Sequence, residues 1–139
     1  MDLTKYVAIS GLPGLYKMVK NRPDGLVVED FINNKKRFIS ARRHNFTPLD
    51  SISIYTEEDT VDIKKVFTIM NDMEEAGDAP IDVKSSDDEL REYFMDVLPD
   101  HDASRVYIND IKKVIKWYLF LKEKNLVSFE EESESSEKA

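Results

Sequence analysis

The chain has 139 residues, a formal net charge of −8 and 41% apolar residues, which suits one ordinary domain or two small ones and argues against a disordered protein. It contains no cysteine, so disulfides, thiolate metal sites and thiol nucleophiles are excluded. The N-terminal stretch lacks the pattern of a signal peptide, and no window approaches about 18 apolar residues, so we expect a cytoplasmic protein with no membrane partner.

The charge is unevenly distributed along the sequence. Residues 1–48 carry nine Lys or Arg against four Asp or Glu, about +5, whereas residues 49–139 carry eleven against 24, about −13. This asymmetry fits a basic face that meets an anionic partner. It fits equally well a basic and an acidic domain that keep each other soluble.

Short strands separated by turns are predicted for the first third of the chain. The turn chemistry of Leu12-Pro13-Gly14 precedes a strand over 15–20, and a turn over 21–25 joins it to a second strand over 26–32, so that the two strands form a hairpin. Asn33-Asn34 makes a further turn.

The next predicted strand, residues 36–43, has a period of two. It places Lys36, Phe38, Ser40 and Arg42 on one face and Arg37, Ile39, Ala41 and Arg43 on the other. Alternation of Ile52 and Ile54 with polar residues predicts a strand over 51–56. Strands at this spacing favour a small SH3-like β-barrel over residues 1–58 in an α+β protein.

The pattern changes to a helical period after this region. Asp62 can cap a helix with an apolar face that Gly77 can end, which predicts a bridging helix within 59–77 and a linker over 78–86. Ser86 and Glu89 form a capping-box pattern that opens a small helical domain over 87–126.

A second helix of this domain is predicted from Asp110 to about Lys124 with Asn109 as its cap. Its inner stripe is expected to hold Tyr107, Ile111, Val114, Tyr118 and Leu121, and to be widened by Trp117, Leu119 and Phe120. The Glu-rich segment 127–139 is expected to be a disordered acidic tail.

No catalytic or metal-binding motif rises above background. Gly11 and Gly14 followed by Lys17 lack the spacing of a phosphate-binding loop, and Asp100-His101-Asp102 departs from a calcium-binding loop at Arg105 and Ile111. We therefore expect no enzymatic activity, no cofactor and no metal.

The segment KKRFISARRHNF, residues 35–46, concentrates basic side chains with two phenylalanines. The cations can neutralise phosphates while Phe38, Phe46 or His44 stack on bases, a combination used by single-strand binders. The alternative is an edge strand whose charges deter edge-to-edge pairing and whose Phe38 belongs to the core. The candidate nucleic-acid-binding residues are Lys35, Lys36, Arg37, Arg42, Arg43 and His44.

Three segments together resemble a known family: ISGLPGLYK (9–17), LDSISIYT (49–56) and DDELREYFMDVLPDHDASRVYINDIKKVIKWYLFL (87–121). The resemblance is to an uncharacterised bacterial family of domains of unknown function, found mostly in Bacteroidetes, and it spans about residues 3–126. It implies an SH3-like barrel followed by a small helical domain, a cytoplasmic setting and no catalytic residue to carry over.

The sequence is compatible with two functions. The first is a non-enzymatic binding module for nucleic acid, and for RNA in particular, through the basic N-terminal part. The second is a protein-interaction or homo-oligomeric adaptor that uses the apolar face of the last helix, with Trp117, Tyr118 and Phe120 as anchors.

Overall fold

A computed structural model of the chain describes residues 3–12, 14–31 and 33–124. The protein is mixed α+β and divides into two compact units, one over residues 2–52 and one that begins at Ser53. Each unit has its own sheet.

The first unit is built on a five-stranded antiparallel sheet with the order β4-β3-β2-β1-β5. The strands, in chain order, are β1 (Tyr6–Ile9), β2 (Tyr16–Arg22), β3 (Gly25–Asp30), β4 (Lys36–Ser40) and β5 (Phe46–Pro48). A short 3-10 helix, Leu49–Ser51, follows the last strand.

One face of this sheet carries the core of the unit. Its buried members are apolar or aromatic: Val7, Ile9, Tyr16, Leu26, Val28 and Ile39. Leu12, Met18 and Phe46 pack against them. Because side chains alternate between the two faces of a strand, the residues between these positions lie on the opposite face.

The predicted SH3-like barrel is not found. The described strands form an open sheet whose edges are β4 and β5, and no closed barrel is formed among the described residues. The sequence pattern revealed short antiparallel strands but not which strands would pair, and a barrel requires the two edge strands of the sheet, here β4 and β5, to meet. The hairpin of β2 and β3 is confirmed.

The strand predicted for 36–43 ends at Ser40. The Ala41 amide donates to the Asp24 carbonyl at 2.9 Å and the Arg43 amide to the Ser40 carbonyl at 3.3 Å, so residues 41–43 form a turn. Gly14 adopts φ 71°, while its predicted turn partner Pro13 and the predicted strand residue Ile32 lie outside the described residues.

The second unit pairs a two-stranded hairpin with three helices. Its elements are β6 (Ser53–Tyr55), β7 (Thr60–Asp62), α1 (Ile63–Glu75), α2 (Asp87–Val97) and α3 (Ile108–Glu123). Helix α1 packs against β7 and α2, and α2 packs against α3. The predicted strand 51–56 is therefore shorter, because residues 49–51 are helical, and its partner β7 was not predicted.

The predicted ends of α1 are confirmed. The Asp62 carboxylate accepts from the Lys64 amide at 3.1 Å. At the other end Gly77 has φ 98°, the Gly77 amide donates to the Glu74 carbonyl, and the Asp78 amide donates to the Met73 carbonyl. These two bonds form a Schellman motif, which needs a residue with positive φ at the position of Gly77.

The start of α3 differs from the prediction. The N-cap residue is Tyr107, whose amide donates to the Asp110 carboxylate at 2.9 Å, so Asn109 already lies within the helix. Tyr107 is exposed rather than part of the inner stripe, and Ile115 is buried in addition to the predicted positions. The predicted acidic tail, residues 127–139, lies outside the described residues.

Within the described part of the chain, no helix combines the length and the apolar character that crossing a bilayer requires.

The capping box at α2 gives a direct test of the second unit. The Ser86 hydroxyl accepts from the Glu89 amide at 3.2 Å, and the Glu89 carboxylate accepts from the Ser86 amide at 3.1 Å. Ser86→Ala should lower the free energy of unfolding by about 1 kcal/mol. Urea denaturation followed by circular dichroism measures this change. Ser85→Ala removes the neighbouring hydroxyl and is the matched control; an equal loss from both variants would contradict a role for the cap.

Candidate nucleic-acid interface

The sheet of the first unit presents a cationic face opposite its core. Residues directly opposite one another in an antiparallel ladder lie on the same face. The pairings therefore give three rows across β2, β3 and β4: Arg22, Gly25 and Ser40; Lys20, Val27 and Phe38; Lys17, Glu29 and Lys36. We call these nine residues the cationic face.

A β-bulge places the β2 cations on this face. The register between β2 and β3 shifts between Met18 and Lys20, so that Val19 is the extra residue. Without the shift, strict alternation would put Lys20 and Arg22 on the same side as the core residue Met18. The bulge instead returns both to the side of Lys17.

Charges on the cationic face are mainly positive. Lys17, Lys20, Arg22 and Lys36 are its cations, and Glu29 is the one carboxylate in the three rows. None of the ion pairs formed between described residues involves any of the four cations. Lys20, Arg22 and Lys36 are exposed, and Lys17 is partly so. The face can therefore accept an anionic ligand without first breaking an ion pair with a described residue.

Phe38 is the aromatic residue of the cationic face, and it is 44% exposed. Its ring lies over Gly25, because a Cβ atom built on Gly25 would come within 2.7 Å of Phe38 Cζ and 2.9 Å of Cε1. The same Cβ would also collide with the Ile39 carbonyl oxygen. Gly25 is therefore required for the close approach of the ring to the backbone.

The first three predicted site residues, Lys35, Lys36 and Arg37, do not lie together on one face of β4. Lys36 lies on the cationic face, and Phe38 and Ser40 lie there with it, as the period of two predicted. Arg37 lies on the opposite face, with its guanidinium carbon 5.9 Å from the centre of the Tyr16 ring. Lys35 precedes the strand, and its amide donates to the Asn33 side chain at 3.0 Å.

The other three predicted site residues lie beyond the end of β4. Arg42 and Arg43 are exposed in the turn, where the Arg42 amide donates to the Ser40 hydroxyl at 3.1 Å. His44 contacts the loop after β1, with Nδ1 2.7 Å from the Ser10 carbonyl oxygen. A carbonyl can only accept, so Nδ1 carries the hydrogen in this contact. The predicted group therefore forms no single surface.

The structure adds Lys17, Lys20 and Arg22, which the sequence did not single out. Their shared face depends on the bulge at Val19, and the sequence VKN around it has no feature that distinguishes a bulge from a regular strand. The sequence signal that could have indicated these residues is the number of basic side chains over 17–22, where apolar and polar residues alternate only weakly.

The three predicted interface residues of α3 differ in burial. Tyr118 is fully buried, whereas Trp117 and Phe120 are partly buried, and the Lys124 ammonium lies 5.7 Å from the centre of the Phe120 ring. Leu119 is 40% exposed rather than part of the inner face. Tyr118 thus contributes to the interior of the second unit, and self-association through α3 remains a prediction.

Tyr118 belongs to a polar group that links α1 and α3. Its hydroxyl donates to Glu74 Oε1 at 2.6 Å, and the Lys122 ammonium donates to Asn71 Oδ1 at 2.6 Å and lies 3.2 Å from Glu74. The hydrogen bond from Tyr118, followed by the contacts with Lys122, lowers the pKa of Glu74 although partial burial opposes the shift. Burial, reinforced by Glu74, raises the pKa of Tyr118.

The loop before α3 is held by its own hydrogen bonds. Asp102 accepts from the Ser104 hydroxyl at 2.6 Å and pairs with Arg105 at 2.9 Å, and these contacts lower the pKa of Asp102 to about 2. His101 is buried, with Nδ1 2.7 Å from the Leu98 carbonyl oxygen and its ring against Phe94. No group of three or more acidic or histidine side chains in the described part of the chain could hold a metal ion.

Comparisons with known proteins agree with this division of the chain. Residues 3–49 match the model of the domain of unknown function DUF5606, and residues 52–121 match that of the domain of unknown function DUF6852. A solution NMR structure from Bacteroides vulgatus, determined by a structural genomics consortium, is 34% identical, with a TM-score of 0.76 over 92% of this chain and 91% of that one. The search of curated proteins gave no match.

Two buried tyrosines of the second unit should ionise late. Burial raises the pKa of Tyr93, and the carboxylates of Asp78 and Glu74 raise it further, as burial does for Tyr118. Because the unfolded chain releases these protons first, the free energy of unfolding should fall as the pH rises above about 10. In a titration followed by tyrosinate absorbance, Tyr93 and Tyr118 should ionise only as the circular dichroism of the fold is lost.

Tyr93→Phe and Tyr118→Phe should each remove one tyrosine from this late step. A late step of unchanged size in either variant would contradict the assignment.

Proposed function

The chain belongs to the family defined by the domains of unknown function DUF5606 and DUF6852, a description that names no activity, and from its surface we propose that the protein is a non-enzymatic module that binds RNA on the cationic face. The observation that carries the proposal is the set of Lys17, Lys20, Arg22 and Lys36 on one side of the sheet. The proposed setting is the cytoplasm.

The geometry of these cations suits a polyanion more than a single small anion. Lys17, Lys20 and Arg22 follow one strand, and residues two apart in a strand are separated by about 7 Å. Cations in such a line can contact successive phosphates of one backbone. Their exposure means that binding costs little desolvation compared with a buried ion pair.

The net charge of −8 does not oppose this proposal. Interactions between exposed charges are screened beyond about 8 Å at physiological ionic strength, so a bound backbone interacts mainly with the side chains nearest to it. Those side chains are four cations and one carboxylate on the cationic face.

Salt dependence gives the proposal a quantitative form. Each phosphate neutralised on a single strand contributes about −0.7 to the slope of log K against log salt concentration, so four contacts predict a slope of about −3. Removal of one contacting cation should reduce the slope by about 0.7. At about 50 mM salt it should weaken binding about eightfold if counterion release is the whole contribution.

Lys36→Gln and Arg37→Gln provide a matched test, because both remove one positive charge from adjacent residues of β4 that lie on opposite faces. Fluorescence anisotropy with a labelled oligouridylate should show the loss of slope and affinity for Lys36→Gln and neither for Arg37→Gln. The double variant Lys20→Gln with Arg22→Gln should lose about twice as much slope as Lys36→Gln.

Two outcomes would contradict the proposal. One is the absence of RNA binding by the unaltered protein at about 50 mM salt. The other is an equal effect of Lys36→Gln and Arg37→Gln, which would show that overall charge rather than this face is responsible.

A further inference from the structure

From the position of Phe38 on the cationic face, we propose that the protein binds single-stranded RNA through its unpaired bases and selects it over duplex RNA, with Phe38 as the stacking residue. This inference rests on the proposed function. It adds a substrate class and a residue role that the cations alone do not specify.

The Phe38 side chain is exposed on the cationic face. Among the nine residues of the cationic face, Phe38 is the aromatic one, and it remains 44% exposed. Phe46, by contrast, packs against the core, and His44 contacts Ser10. Of the three residues that the sequence offered for stacking, Phe38 is the one available on the cationic face.

The Phe38 ring is supported from beneath by β3. Gly25 leaves room for Phe38 to lie against β3, with Cζ and Cε1 at the distances given above from a Cβ position. One side of the ring is therefore backed by the strand, while much of the residue is still open to solvent. A ring held in this way loses little conformational freedom when a base stacks on it, which favours affinity.

The Phe38 ring lies in the same row of the sheet as one of the β2 cations. Phe38 lies on β4, and Lys20, in the same row, lies on β2. Two strand spacings separate them, about 9.5 Å. A backbone that follows the β2 cations can therefore extend a base across Val27 toward the ring.

Stacking on the Phe38 ring requires unpaired bases. In a duplex the faces of the bases are stacked on one another, and side chains contact mainly phosphates and 2′-hydroxyls. A stacking platform contributes only when a base is free to leave its neighbours, whereas the cations can contact either form. Phe38 should therefore determine the preference for single strands, and the cations the salt dependence.

A structural explanation for the ring also exists and predicts different behaviour. Aromatic side chains that cover a glycine can stabilise a sheet without binding anything. In that case, loss of the ring would change the stability of the sheet but not the choice between single-stranded and duplex RNA.

The test compares the unaltered protein with Phe38→Leu, which keeps an apolar side chain over Gly25, and with Phe38→Ala. Three probes are titrated by fluorescence anisotropy: a labelled oligouridylate, an RNA duplex of the same length, and labelled heparin, a polyanion without bases. Circular dichroism melting of each variant reports whether the sheet is intact, and Phe38→Leu decides the test if Phe38→Ala does not fold.

We expect the unaltered protein to bind oligouridylate more tightly than the duplex. Phe38→Leu should weaken oligouridylate binding at least about fivefold, since stacking of one base contributes at least that much, and should leave heparin affinity and the salt slope unchanged. The single-strand preference should shrink by the same factor.

Three results would overturn the inference. Equal binding of single-stranded and duplex RNA, or an unchanged oligouridylate affinity in a folded Phe38→Leu variant, would remove the role of Phe38 while the proposed RNA binding stands. Failure of the unaltered protein to bind either RNA would overturn both proposals together.

Discussion

The extra residue at Val19 determines what the two faces of the first sheet can do. Tyr16 and Met18 face the core, so a regular strand would direct Lys20 and Arg22 to that side as well. The register shift places them opposite Val27 and Gly25 instead. A charged side chain on a core face must reach water or find a partner at a cost in free energy. The bulge therefore keeps Lys20 and Arg22 away from the core face and adds them to the cations on the opposite face.

The core residues that stabilise this sheet and most of the charged residues at its surface thus lie on opposite faces. Val28 is fully buried, with Leu26 and Ile39 beside it on the core face. Phe38, between Arg37 and Ile39 in sequence, lies on the opposite face because of the pleat. Substitutions on the cationic face should therefore have a limited effect on folding, with Gly25 as the exception, since any side chain there collides with the Ile39 carbonyl oxygen and with the ring.

Local sequence signals predicted local structure well. Asp62, Gly77 and the Ser86 and Glu89 pair each use hydrogen bonds within a few residues, and each has the predicted role. The prediction was wrong at the start of α3 and for the barrel. Asn109 is a good cap residue by type, but the Asp110 carboxylate bonds to the Tyr107 amide and starts the helix earlier. Residue type alone did not decide between these two local arrangements. A barrel would require the edge strands β4 and β5 to pair, and the spacing of strands along the sequence does not determine which strands pair.

The sequence pattern also placed only some residues of the cationic face on their correct side of the sheet. The period-two reading placed Lys36 and Phe38 on one face and Arg37 on the other, as the pairing with β3 has them. It could not place Lys20 and Arg22, because their face depends on a shift of one residue in a neighbouring strand. The segment 35–46 therefore contains the β4 part of the cationic face, while that face is shared by three strands.

Chemical-shift mapping of an oligouridylate titration by NMR tests the central claim most directly. Our account predicts changes in the side-chain signals of Lys20, Lys36 and the Phe38 ring, with little change for Ile39 on the opposite face of the same strand. Changes centred on Ile39 and Arg37, or on α3, or no change at all at low salt, would contradict it.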